Sequence, residues 1–141
     1  MGNASTLGNN WWQFRGPQGD GHSASTNLPL QWSEQKNISW KTAIHDRGWS
    51  SPVIWGKQIW ITTATVDGSK LFGVCLDKDT GKIVYDLHLF DVTEPMMITK
   101  DNTYATPTPV IDEGLVILHF GTYGTACVNT TSGKVLWRRR D

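Results

Sequence analysis

Few residues in this chain carry catalytic or ligand chemistry, and their spacing decides what they can do. Four histidines, His22, His45, His88 and His119, form no H-x-x-x-H pair and meet no C-x-x-C pair, so they do not read as a zinc set. His119 lies between Leu118 and Phe120, and strand alternation turns it away from both, as a satisfied strand histidine. The run "DKDTG" (77–81) opens like a calcium loop. It lacks a third acidic ligand, and His88 stands where a bidentate glutamate would be needed. A solvated hairpin turn is the better reading. No G-x-S-x-G, P-loop or dinucleotide fingerprint is present, and "GPQGDG" (16–21) follows no strand and opens no helix. The sequence therefore nominates no catalytic residue and no metal ligand.

Binding chemistry is better represented. The loop "HDRGWSSP" offers His45, Arg47, Trp49 and Ser51, and "KDNTYATP" offers Asn102, Tyr104 and Thr106. Arginine, aromatic and amide side chains on paired loops suit sugars, quinones or peptides. Loop capping and aromatic packing are the competing role for each of them.

What must position those loops is a repeat. "CLDKDTGKIVY" (75–85) returns as "CVNTTSGKVLW" (127–137), with Gly81 over Gly133 and an aromatic closing each copy. Upstream, Ser51-Pro52-Val53 meets Thr108-Pro109-Val110. Each copy parses into four short strands: "PVIW", "QIWITTA", "LFGVCLD" and "KIVYDLHLF", then "PVI", "LVILHF", "TACVN" and "KVLWRRR". In "KIVYDLHLF", Ile83, Tyr85, Leu87 and Leu89 are expected on one face. The turns "KDTGK" and "TTSGK" put glycine where a positive φ is most needed. No stretch has a helical apolar period, so helix should be nearly absent. Four-stranded antiparallel modules in repeat predict an all-β fold of two propeller blades, because the strands of the competing β-sandwich have no reason to recur as matched quartets.

The expected organisation is a flexible tail (1–10), an N-terminal segment (11–49), a first blade with its connecting loop (50–104) and a second blade (105–141). "NISWKTAI" (37–44), with Trp40 matching Trp137, is expected as a latch strand. Cys75 and Cys127 occupy equivalent places in the two copies, too far apart for a disulfide, and read as small buried hydrophobes. The terminal "RRR" (138–140) reads as a charge device on an edge strand.

The doubled phrase resembles the quinoprotein-like (PQQ-binding-like) β-propeller repeat, small-x-Asp-x-x-Thr-Gly-x-x-x-Trp. It appears here as Cys75, Asp77, Thr80, Gly81 and Tyr85, then as Cys127, Asn129, Ser132, Gly133 and Trp137. Cysteine replaces the usual alanine, Tyr85 replaces tryptophan, and Asn129 and Ser132 replace aspartate and threonine. "WWQFRGPQGDG", "GWSSPVIWG" and "YATPTPVI" are similar to bacterial exported members, many of them likened to the outer-membrane barrel-assembly propeller lipoprotein. The resemblance runs from Trp11 to Asp141. It implies inter-blade packing for the repeat residues, a periplasmic or secreted location, and ligands at the rim loops around a central channel. PQQ enters as a cofactor only through this resemblance, which would also imply Ca²⁺ with carboxylate and amide ligands and often a vicinal cysteine pair; none of those can be matched here.

Bulk properties narrow the function further. Lys plus Arg equal Asp plus Glu at 13 each, so no global field attracts nucleic acid. No apolar run is long enough for a membrane helix, and the first residues show no signal-peptide pattern. "MGNAST" matches a myristoylation pattern through Gly2 and Thr6, and Asn3, Asn37 and Asn129 begin sequons; a polar tail is the simpler reading of the former. Three functions remain: a non-catalytic module binding a protein or small ligand, part of a quinoprotein dehydrogenase, or a truncated propeller without autonomous function. Since propellers close with roughly 4 to 8 blades, an incomplete ring is expected, open at its edges to self-association.

Overall fold

Short alternating strands joined by glycine turns fold into two antiparallel meanders. The computed structural model describes residues 10–140, so the readings on Gly2, Asn3, Thr6 and Asp141 lie outside the described residues. The first sheet contains β1 (Val53–Trp55), β2 (Gln58–Ala64), β3 (Lys70–Asp77) and β4 (Ile83–Asp91). The second contains β5 (Val110–Asp112), β6 (Leu115–His119), β7 (Thr125–Asn129) and β8 (Val135–Arg139). Each sheet runs in sequence order, so every strand pairs with its chain neighbours. A 3-10 turn over Gly121–Tyr123 links β6 to β7, and no α-helix occurs among the described residues. The fold is all-β.

The repeat is visible in the register. Cys75 lies opposite Tyr85, and Cys127 opposite Trp137. One residue further, each outer strand bulges: Leu76 pairs with Ile83, skipping Val84, and Val128 pairs with Val135, skipping Leu136. The bulge corrects one expectation. Ile83 does not share a face with Tyr85, Leu87 and Leu89, because the extra residue rotates it outward, where it is 43% exposed. A second bulge, between Leu71 and Phe72, leaves both Leu89 and Phe90 buried.

The β3–β4 and β7–β8 turns use the same hydrogen bonds. Asp77 Oδ1 accepts from the Asp79 and Thr80 amides and the Thr80 hydroxyl; Asn129 Oδ1 accepts from Thr131, Ser132 and the Ser132 hydroxyl. Gly81 and Gly133 follow with φ of 71° and 69°. Because an aspartate and an asparagine oxygen do the same work, the carboxylate of Asp77 serves the turn, and the Thr80 bonds draw its pKa below the usual carboxylate range.

The core fills the space between the sheets. Trp60, Leu71, Cys75, Leu89 and Phe90 meet Ile111, Val116, Leu118, Phe120 and Val128. Trp60 is fully buried and stacks on Tyr85, with ring centroids 5.9 Å apart. Polar bonds stitch the same interface: Gln58 Nε2 donates to the Thr130 carbonyl at 2.8 Å, and Arg138 Nε to that of Leu89 at 2.7 Å. Arg140 reaches the Asp91 carbonyl and sits over the Phe90 ring, so two of the terminal arginines cover the outer edge of β4. Cys75 and Cys127 are free and buried, and burial pushes the Cys75 thiol up to about 12. They are packing groups.

The N-terminal segment is tied to both sheets. Asn10, placed by its polarity in the tail, is buried and accepts the Gly56 amide. Trp11 bridges to Ile54, while the Trp12 carbonyl accepts the Ile111 amide. Residues 37–44, expected as a latch strand, join no strand ladder. They lie against the β3–β4 turn rather than along a strand edge: Trp40 Nε1 donates to the Lys78 carbonyl and the Thr42 hydroxyl to that of Gly81.

Candidate functional site

The loop entering β1 and the loop entering β5 converge on one backbone oxygen. The Ala105 carbonyl accepts the amides of Trp49 (3.0 Å) and Ser50 (3.1 Å), and the Thr62 hydroxyl at 3.4 Å. Ala105 is fully buried, so the junction is shielded from competing water. Ahead of it, Arg47 exchanges two backbone bonds with Ala64, extending the β2 edge where β1 has ended. The Ser50 hydroxyl accepts the Thr62 amide, holding the same edge.

Between the loops opens a groove of about 440 Å³ lined by Asp46, Arg47, Gly48, Trp49, Lys100, Asn102 and Thr103. Three of the residues nominated by the sequence, Arg47, Trp49 and Asn102, meet here. Trp49 is 59% exposed and offers its ring to solvent. Asn102 Oδ1 accepts the Thr103 amide and the Thr106 hydroxyl, both at 2.8 Å, which fixes the amide nitrogen as the free end.

The remaining nominees play other parts. Thr106 closes its own loop through Asn102 and the Thr103 carbonyl. The Ser51 amide donates to the Thr108 hydroxyl, a link between the loops outside the groove. Tyr104 points elsewhere: its hydroxyl donates to the Met96 carbonyl, its ring covers Gly68, and it meets Tyr123 edge-on at 6.0 Å. The chain bends at Tyr104, just after the groove-lining pair Asn102 and Thr103. Lys100, Thr103 and Asp46 were missed. Asp46 lies between the nominated His45 and Arg47, and Lys100 two residues before Asn102, so their charge within the same two loops was the available signal.

His45 stands just outside the groove, held at both ring nitrogens. Nδ1 lies 2.6 Å from Asp46 Oδ2 and Nε2 lies 3.1 Å from Asp86 Oδ1 on β4. Its ring meets Phe72 edge-on at 4.8 Å, and His88 packs on the same phenyl ring. The Asp46 hydrogen bond raises the His45 pKa above 6.5; desolvation opposes the shift, and Asp86 reinforces it. Asp46 adopts φ of 60°, a left-handed conformation that aspartate tolerates and that aims its carboxylate back at the imidazole.

A raised folded-state pKa stabilises the protein fully below pH 6.5, and the contribution is lost as pH rises through the higher folded value. Thermal melts of wild type between pH 5.5 and 8.5 (a window of about one to two units around that value) are expected to fall on the alkaline side. His45→Gln should flatten this part of the profile. A pH response unchanged in the variant would assign it to another group.

A calcium-supported quinone needs several carboxylate or amide oxygens converging on one cation. The groove supplies Asp46, engaged by His45, and Asn102, engaged by Thr103 and Thr106. No group of three or more His, Cys, Asp or Glu converges among the described residues. These donors do not fit such a centre. The chain matches no protein-family model, and no curated protein matches it significantly.

Proposed function

We propose that the two sheets are consecutive blades of a quinoprotein-like β-propeller, and that the chain is a non-catalytic module binding a protein segment or small ligand in the groove between segments 46–49 and 100–103. The blade reading is supported by a contact made twice. The Trp40 ring covers Gly81, with its indole N–H on the Lys78 carbonyl; the Tyr85 ring covers Gly133, with its hydroxyl on the Thr131 carbonyl at 2.6 Å. Each aromatic thus sits on the glycine turn of the next unit. Trp137 is third in this series and is 46% exposed, ready for a further turn of the same kind. Self-association through this open face, and an exported location by resemblance, belong to the same proposal.

The observation that carries the binding role is the convergence of both loops on the Ala105 carbonyl, which holds Arg47, Trp49 and Asn102 around one groove. Thermal-shift screening of the full chain against peptides, sugars and quinones tests it. Ligands that stabilise wild type should lose their effect in Trp49→Ala, whose exposed ring can be removed without opening the core. Ligand shifts that persist in Trp49→Ala would move the site elsewhere. Dye reduction with PQQ, Ca²⁺ and an alcohol or aldose would overturn the non-catalytic assignment.

A further inference from the structure

We infer that the groove takes an acidic peptide segment, its carboxylates held by Arg47 and Lys100 and an apolar or aromatic side chain laid on Trp49. The inference rests on the binding-module reading above and names the ligand class for that site. Its basis is an inventory of what the groove offers. Arg47 and Lys100 both line it, and among the described residues neither guanidinium nor ammonium has an ion-pair partner. Asp101, beside Lys100, is not among the lining residues. The one lining carboxylate, Asp46, is engaged by His45 through Oδ2 at 2.6 Å, leaving Oδ1 open. Asn102 has spent its carbonyl oxygen on Thr103 and Thr106, so its free atoms are N–H donors. The Thr103 hydroxyl is occupied by the Ala105 amide and Thr106.

The groove's free side-chain groups are therefore two cations and an amide donor around an exposed indole, against one carboxylate oxygen whose charge His45 offsets while protonated. Sugar hydroxyls need acceptors as well as donors, and here a single side-chain oxygen, Asp46 Oδ1, is open to their protons. Carboxylates are acceptors only, and an arginine fork takes them bidentately. That favours a peptide rich in aspartate and glutamate over a neutral or hydroxyl-rich saccharide. Trp49 adds a rigid aromatic contact of the kind that anchors peptide side chains.

The groups facing His45 tie recognition to pH. Asp46 flanks it on its own loop, Asp86 faces it from β4, and His88 lies across Phe72. While His45 is protonated, it compensates Asp46. Once neutral, it leaves a carboxylate on the groove wall that repels the ligand. Affinity for an acidic peptide should fall as pH rises through the His45 transition.

The test is calorimetric titration of the full chain with two blocked pentapeptides. One alternates glutamate and aspartate around a central tyrosine; the other carries glutamine and asparagine instead. The acidic peptide is expected to bind at least about tenfold more tightly, less so as salt rises, and Arg47→Gln or Lys100→Gln should each cost about tenfold. His45→Gln should remove the pH dependence, with melts showing each variant folded. Four results overturn the inference: no binding of the acidic peptide at millimolar concentration, equal binding of the amide peptide, indifference to both cation variants, or oligogalacturonate binding where the peptide does not. If binding ignores the cation variants but is lost in Trp49→Ala, the groove stands and the acidic class falls. If it survives all three substitutions, the groove is not the site and both readings fall.

Discussion

Gly133→Ala is expected to destabilise the protein by about 3 kcal/mol, lowering the melting temperature by about 10 °C. Two costs add. The residue has φ of 69°, where a β-carbon is strained by about 1–2 kcal/mol. An added Cβ would also stand 2.6 Å from the Tyr85 ring, forcing that ring off the turn. Tyr85 is stacked on buried Trp60 and bonded to the Thr131 carbonyl, so it has no free direction in which to yield.

The two costs can be separated. Gly114 has φ of 81° with nothing within 4 Å of an added Cβ, so Gly114→Ala should show conformational strain alone. Introducing Gly133→Ala into a Tyr85→Ala background removes the clash and should reduce its penalty to the Gly114 value. Equal penalties at Gly114 and Gly133 in wild type would mean that the aromatic-on-turn contact does not constrain the interface. Denaturant or thermal melts of wild type and these four variants decide it.

The fold was legible where local chemistry and repeat agreed. "TACVN" is strand β7, and the strand of "QIWITTA" is β2, because short apolar, β-branched runs are bounded by turn residues. The Asx-glycine turns could be read from their residues, since the same atoms must cap whether Asp77 or Asn129 supplies them. The bulges at Val84 and Leu136 could not, because a skipped residue looks like ordinary alternation until its partner strand is known. Residues 37–44 have a strand's sequence, yet a strand needs a neighbour. Here the segment meets a turn instead, which preserves the tryptophan contact without the ladder. At the site, sequence placed both loops and their polar tips. It did not place Tyr104 against Met96 and Tyr123, or recognise Lys100 across from Arg47, because those depend on how the 93–101 connection returns.

Gly48→Ala is expected to damage the site more than the core. Gly48 needs no unusual φ; it needs space, because a Cβ there would be driven into the Thr62 carbonyl oxygen of β2. A carbonyl within a strand cannot rotate away as a flexible side chain can, so the loop must lift instead. Lifting it strains both backbone bonds between Arg47 and Ala64 and the Trp49 and Ser50 amides on Ala105. At about 0.5–1.5 kcal/mol net for each bond lost, plus overpacking of about 1–3 kcal/mol, the local cost is at least about 3 kcal/mol. It falls on the elements that aim Arg47 and Trp49 into the groove. Amide hydrogen exchange should show faster opening at Arg47, Trp49, Ser50 and Ala64, while β6 and β7 exchange as in wild type. Ligand-induced stabilisation should be lost in the same variant. Wild-type exchange at those four amides, with ligand response intact, would show that the loop is not held to β2 by this close approach and that the groove does not depend on it.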